Sequence, residues 1–99
     1  MKPEFIKITS HESMPISILS LYLLAFPADE RRPCHHLFSL IDGGEPAFDF
    51  RVIYAGGRIA GFVTTWDSGE FLYIEHFATL DHMRGNGIGG AVIERLREE

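Results

Sequence analysis

Cysteine is almost missing from this chain: Cys34 is the only one in 99 residues. A single thiol cannot form an intrachain disulfide, and such sparing use fits a reducing, cytoplasmic setting. Long apolar runs are also missing, and none reaches the ~18 residues that mark a membrane-spanning helix. The start, Met1-Lys2-Pro3-Glu4, brings an acid early with no apolar stretch behind it, which reads against a secretory leader. Basic side chains are few: 9 Lys and Arg stand against 14 Asp and Glu, for a net charge of −5. That balance argues against a sequence-independent nucleic-acid binder. No repeat, low-complexity tract or Ser/Pro-rich linker divides the chain. The expectation is one modest domain, 45% hydrophobic, with neither nucleic acid nor membrane as partner.

The patterning predicts an α+β domain. Phe5 to Ile8 reads as a short first strand. Ser13 is expected to cap a first helix with Pro15 in its opening turn, where the missing N–H costs nothing. Ile18, Leu21, Tyr22, Ala25 and Phe26 then recur at helical spacing until Pro27. Pro33 opens a second helix with Cys34, Leu37, Phe38 and Ile41 on its stripe, broken at Asp42-Gly43-Gly44. The period then changes to two. Phe48, Phe50, Val52 and Tyr54 alternate with Asp49, Arg51 and Ile53, and Gly56-Gly57 signals a hairpin into Ile59–Trp66. Asp67-Ser68-Gly69 turns into Phe71–Thr79, and a last helix carries Ile88, Ala91, Val92 and Leu96. The order is β-α-α-β-β-β-α, with a mixed, mainly antiparallel sheet and helices packed on its faces.

Between the last strand and the last helix lies Arg84-Gly85-Asn86-Gly87-Ile88-Gly89-Gly90. Glycines there allow close backbone approach and turn several N–H groups one way. The helix start adds unpaired donors and a positive dipole end, so a phosphate or pyrophosphate suits the place. The plain alternative is a glycine-rich helix entry needed only for tight packing. A P-loop is excluded because Ala91-Val92, not Lys-Ser/Thr, follows Gly90. The pattern G-x-G-x-x-G is formally met by Gly85, Gly87 and Gly90. Its context fails, because only nine residues follow Gly90 and no further parallel strand with a distal acid is present.

A third pattern fits. Tyr73–Thr79 followed by Arg84-x-x-Gly87-x-Gly89 resembles the acetyl-CoA signature of GNAT N-acetyltransferases, Gln/Arg-x-x-Gly-x-Gly/Ala after a strand and a short loop. The element order resembles the N-terminal half of that fold, and Phe26–Pro33 is similar to a segment between the first two helices in a bacterial branch. The resemblance covers Phe5 to Leu96. It implies acetyl-CoA as co-substrate and acetyl transfer to an amine of a small molecule or peptide. It also implies that N–H groups from Gly85, Asn86, Gly87, Ile88, Gly89 and Gly90, beside Arg84, hold the pyrophosphate. The backbone of Phe77, Ala78 and Thr79 would hold the pantetheine arm and polarise the thioester carbonyl.

Glu75 and His76 are the acid–base candidates. Adjacent strand residues point to opposite faces, which puts Glu75 with Tyr73 and Phe77, and His76 with Ile74 and Ala78. A carboxylate on an apolar strand face is costly unless paired. Glu75 is therefore either a structural ion pair or the general base that the resemblance implies. Histidine is the side chain whose charge changes near neutrality, so His76 is eligible too, although a satisfied sheet histidine is the plainer reading. His35-His36 have poor spacing for a metal, and none is expected. Arg31 and Arg32 read as a solvated helix entry or as contacts for an anionic acceptor, and Cys34 as a small core residue.

The resemblance stops early. The complete family domain continues into a further strand, a helix and a closing hairpin, and commonly a tyrosine that protonates the leaving thiolate. Leu96-Arg97-Glu98-Glu99 continues a helical pattern with no stop signal. Residues 1–99 are thus expected to form a partial domain: an excised fragment, a truncated reading frame, or a half-domain whose sheet is completed in a homodimer. The alternatives to catalysis are a non-catalytic acyl-CoA-binding module and an assembly domain that pairs its last strand with a partner.

Overall fold

The computed structural model describes residues 2–99. Its elements run β1 (Glu4–Lys7), a 3-10 turn (His11–Ser13), α1 (Ile16–Ala25), α2 (Cys34–Asp42), β2 (Phe48–Ala55), β3 (Arg58–Asp67), β4 (Leu72–Thr79), a second 3-10 turn (Asp81–Met83) and α3 (Ile88–Arg97). The expected order is present. The four strands form one sheet in the order β1-β2-β3-β4, and all three pairings are antiparallel rather than mixed. β1 begins one residue earlier than the pattern suggests, while Ile8 still donates its N–H to the Phe50 carbonyl at 3.0 Å. Ser13 caps nothing. It closes the 3-10 turn onto the Ser10 carbonyl, and Pro15 precedes α1 without a side-chain cap.

Alternation in β2 and β3 divides the interior into two layers. Phe48, Phe50, Val52 and Phe62 pack with Ile18, Leu21 and Tyr22 of α1 and with Leu37 and Ile41 of α2. On the opposite face Ile53, Ala55, Ala60 and Val63 pack with Ile88, Val92 and Leu96 of α3. Cover on both faces explains why β2 and β3 are buried over most of their length. Cys34 is half-buried at the first residue of α2, outside the core, because the buried stripe begins one turn later at Leu37.

Two register shifts place the site. Ile53 pairs with Gly61 and Tyr54 with Ile59, so Ala60 is a bulge in β3. Thr64 pairs with His76 and Thr65 with Ile74, so Glu75 is a bulge in β4. Beside it the strands come unusually close. A Cβ on Gly61 would lie 2.1 Å from the Ala78 carbonyl oxygen and 2.9 Å from Thr79 Cα. Gly61→Ala is therefore expected to destabilise the fold by about 1–3 kcal/mol, as overpacking does. Urea denaturation checks this; an unchanged midpoint would mean that the β3–β4 spacing yields freely.

Candidate functional site

β4 is an edge: β3 pairs with one side, and nothing among the described residues pairs with the other. Past Thr79 the chain enters the second 3-10 turn and then bends into α3. Gly85 and Gly87 take φ of +81° and +73°, a region that side chains with a Cβ rarely adopt, and Gly87 is the residue preceding α3. The first helical bond runs from the Ala91 N–H to the Gly87 carbonyl. The N–H groups of Ile88, Gly89 and Gly90 therefore begin the helix without intrahelical acceptors.

A cleft of about 540 Å³ opens here between β4, this loop and the end of α1. Its walls include Phe77, Ala78, Thr79, Arg84, Gly85, Gly87, Ile88 and Gly89, all expected from sequence. Asn86 of the loop and Gly90 in the first turn of α3 do not line the cleft. Ala25 and Phe26 do line it and were not expected, since only the packing of α1 brings them there. Arg84 is exposed and pairs with Asp81 at 3.1 Å, which leaves much of its guanidinium in reach of an anion. Gly89 sits 3.9 Å from the Phe77 ring when given a Cβ, an ordinary contact, so a larger side chain there would occupy the cleft.

Glu75 and His76 lie beside the cleft rather than in its wall. They do not face opposite ways. The bulge at Glu75 adds a residue to β4, which cancels the alternation, and both side chains reach the segment joining α1 to α2. The Glu75 Oε1 accepts hydrogen bonds from Arg32 Nε at 3.0 Å and Nη2 at 2.6 Å. Its Oε2 accepts from the buried Thr64 hydroxyl at 3.4 Å, and that hydroxyl also accepts the His76 N–H at 3.0 Å. The His76 ring lies 5.8 Å from Tyr22 and 4.6 Å from Phe26. His76 Nε2 is 3.0 Å from the Glu30 carbonyl, which can only accept, so Nε2 carries the proton. Nδ1 is left as a buried lone pair with no hydrogen bond, 3.6 Å from Glu75 Oε2.

Both arginines are engaged. Arg31 donates to the Phe26 carbonyl at 3.0 Å and so finishes α1. Arg32 meets Glu75, its guanidinium lies 5.3 Å from the Trp66 ring centre, and its backbone N–H and carbonyl are both bonded by the Tyr22 hydroxyl at 2.9 Å. Arg32 is thus not a free cation for an anionic acceptor, whereas Arg31 has no carboxylate partner among the described residues. Burial raises the proton affinity of the Glu75 carboxyl, but the hydrogen bonds and charge of Arg32, helped by Trp66, bring it below the usual glutamate range. Arg32, Thr64 and Trp66 belong to the Glu75 surroundings, and nothing in the sequence joined any of them to Glu75.

Comparison with known proteins adds to this geometry. The sequence matches the acetyltransferase (GNAT) family over residues 16–99. A solved structure from Bacteroides thetaiotaomicron, assigned to the acetyltransferases of the GNAT family, superposes with a TM-score of 0.85 at 33% identity. The match covers 96% of this chain and 54% of that one, so this chain spans about half the length of that relative. No curated protein sequence matches significantly.

The Glu75 environment has a consequence for acid stability. A carboxyl held below its ordinary value of 4.5 binds fewer protons folded than unfolded. Its contribution is therefore present above that value and lost as the pH falls through the lower, folded one. Asp42, lowered by hydrogen bonds from the backbone and ring of His11, acts in the same direction. In urea titrations below about pH 4.5, Glu75→Gln should flatten part of the acid loss, and Asp42→Asn a separate part. Superimposable pH profiles for wild type and Glu75→Gln would show that Arg32 does not stabilise the carboxylate.

Proposed function

The chain belongs to the GNAT acetyltransferase family, and on that premise we propose that its cleft binds acetyl-CoA for acetyl transfer to an amine. One observation carries the reading: an unpaired strand edge, a loop with two left-handed glycines, a helix start and Arg84 converge on one 540 Å³ cleft. The volume lies within the ~300–1,000 Å³ range of small-molecule sites. The residues present fit the coenzyme. The N–H groups at the start of α3 and Arg84 suit a pyrophosphate, and the free edge of β4 at Phe77–Thr79 suits the amide-bearing pantetheine arm.

When bound, acetyl-CoA supplies an acetyl group activated as a thioester. The chain's part is then to orient, to polarise and to move a proton. Backbone N–H groups along Phe77, Ala78 and Thr79 would hold the carbonyl oxygen, where negative charge grows as nitrogen attacks. Glu75 draws the amine, which arrives as ammonium, and the carboxylate with the adjacent His76 Nδ1 takes the proton. While Arg32 is in place Glu75 is a weak base, because the best proton acceptors titrate near the working pH. A cytoplasmic setting agrees with the single cysteine.

We further propose that residues 1–99 form part of a longer GNAT domain. The unpaired edge of β4 carries exposed Leu72 and Ile74, a surface that folded proteins usually cover. A strand from following sequence, or from a second copy in a homodimer, would cover it. Turnover would then require that strand, and the chain alone would act as an acyl-CoA-binding module.

Saturating acetyl-CoA is expected to raise the melting temperature of this chain; no shift would count against the coenzyme reading. Replacing Gly87 or Gly89 with Leu should abolish that shift, the first by denying the left-handed backbone and the second by filling the cleft. In a chain that turns over, Glu75→Gln should slow acetyl transfer by about 10²-fold with coenzyme affinity unchanged. An equal rate at every pH would remove Glu75 from proton transfer.

A further inference from the structure

The Arg32 side chain occupies an unusual place. Its guanidinium bonds the Glu75 carboxylate through two nitrogens and lies over the ring of Trp66. A carboxylate beside an indole face is what a protein builds to receive a cation. Tyr73 is the cross-strand neighbour of Trp66, and Phe71 lies 6.2 Å from Tyr73, so the aromatic surface continues outward from the charge. Tyr73 and Phe71 are 57% and 61% exposed, which leaves this surface open to a ligand.

We infer that Glu75 and Trp66 form a cation subsite for the acceptor, that Arg32 is its resident plug, and that the substrate's ammonium enters by displacing the guanidinium. This rests on the acetyltransferase reading and narrows it: the acceptor is a cationic amine with an apolar stem, not a neutral or anionic amine. The stem would lie along Tyr73 and Phe71.

The way Arg32 is held supports this. Its backbone is fixed through both polar atoms by the Tyr22 hydroxyl, so the segment stays in place while the side chain swings. The guanidinium makes no other hydrogen bond, and the side chains of Arg32 and Glu75 retain 27% and 21% of their exposure. Water already competes for such a pair, and an ammonium would compete better. When Arg32 leaves, Glu75 keeps the Thr64 hydroxyl at 3.4 Å, so the carboxylate remains placed for the incoming charge. A plug of this kind weakens apparent binding by the fraction of time that it sits in the site.

Trp66 is the only tryptophan in the chain, so its fluorescence reports directly on what lies over the ring. Wild type, Arg32→Ala and Arg32→Gln would be titrated with n-butylammonium, n-butanol and butyrate at constant ionic strength. Only butylammonium should give a saturable change, with about tenfold tighter binding in the variants than in wild type. Arg32→Gln keeps the side-chain length and supplies the comparison should the alanine variant not fold. In wild type, saturating butylammonium should move the Arg32 Nε–H resonance toward its position in the free amino acid. Equal affinity in wild type and variants, a response to butyrate as large as that to butylammonium, or an unmoved Nε–H resonance would each overturn the inference. The titrations contain no coenzyme, so failure of acetyl-CoA to bind would defeat the broader reading without altering this result.

Discussion

β4 is bonded to the sheet through β3 alone, and the site groups that β4 carries depend on that ladder. Two features of the pairing matter. At Gly61 the absent side chain lets the Ala78 carbonyl approach to where a Cβ would stand 2.1 Å away. At Glu75 an extra residue breaks the alternation. The first sets how β4 lies against β3 where the cleft opens. The second turns a carboxylate that should share a face with Phe77 toward the α1–α2 segment. One ladder thus positions a free strand edge for a ligand backbone and an acid beside it.

Charge is arranged locally against the overall balance. The chain carries a net −5, yet the cleft is bordered by Arg84 and by the helix start at Gly87. Oriented N–H groups at the helix start add positive potential there, which net charge does not count. Around Glu75 the balance is reversed. Glu75 is the anion, and Arg32 neutralises it while the Tyr22 hydroxyl holds the Arg32 backbone. The result is a positive border at the Arg84 loop and a paired carboxylate at Glu75, both set by β4 and the segments packed against it.

Much of this was legible before any coordinates. The change from helical to alternating period at Phe48 marked the helix-to-sheet transition, and Gly56-Gly57 marked the β2–β3 turn. The loop from Arg84 to Gly89 was legible because its glycines answer to backbone geometry: Gly85 and Gly87 do take positive φ. Less local features were hidden. Strict alternation assigned Glu75 and His76 to opposite faces, and no residue type announces a bulge. Ser13 looked like a cap, but capping depends on the direction in which the chain enters the helix, and Pro15 precedes α1 instead. Arg32 looked like a free cation because its partner lies 43 positions away.

The sequence by itself determined the element order, the packing of helices on the sheet faces and the position of the glycine loop before α3. Each of these follows from short-range periodicity or from one residue's backbone freedom, and nothing distant is needed to read them. Tertiary structure decided that Glu75 is an ion-paired carboxylate, that His76 Nδ1 is an unpartnered lone pair, and that Ala25 and Phe26 wall the cleft. Those facts depend on which distant groups meet across the sheet. Ion pairing, proton affinity and cavity shape are properties of such meetings, and the linear order of residues records them only after the chain has folded.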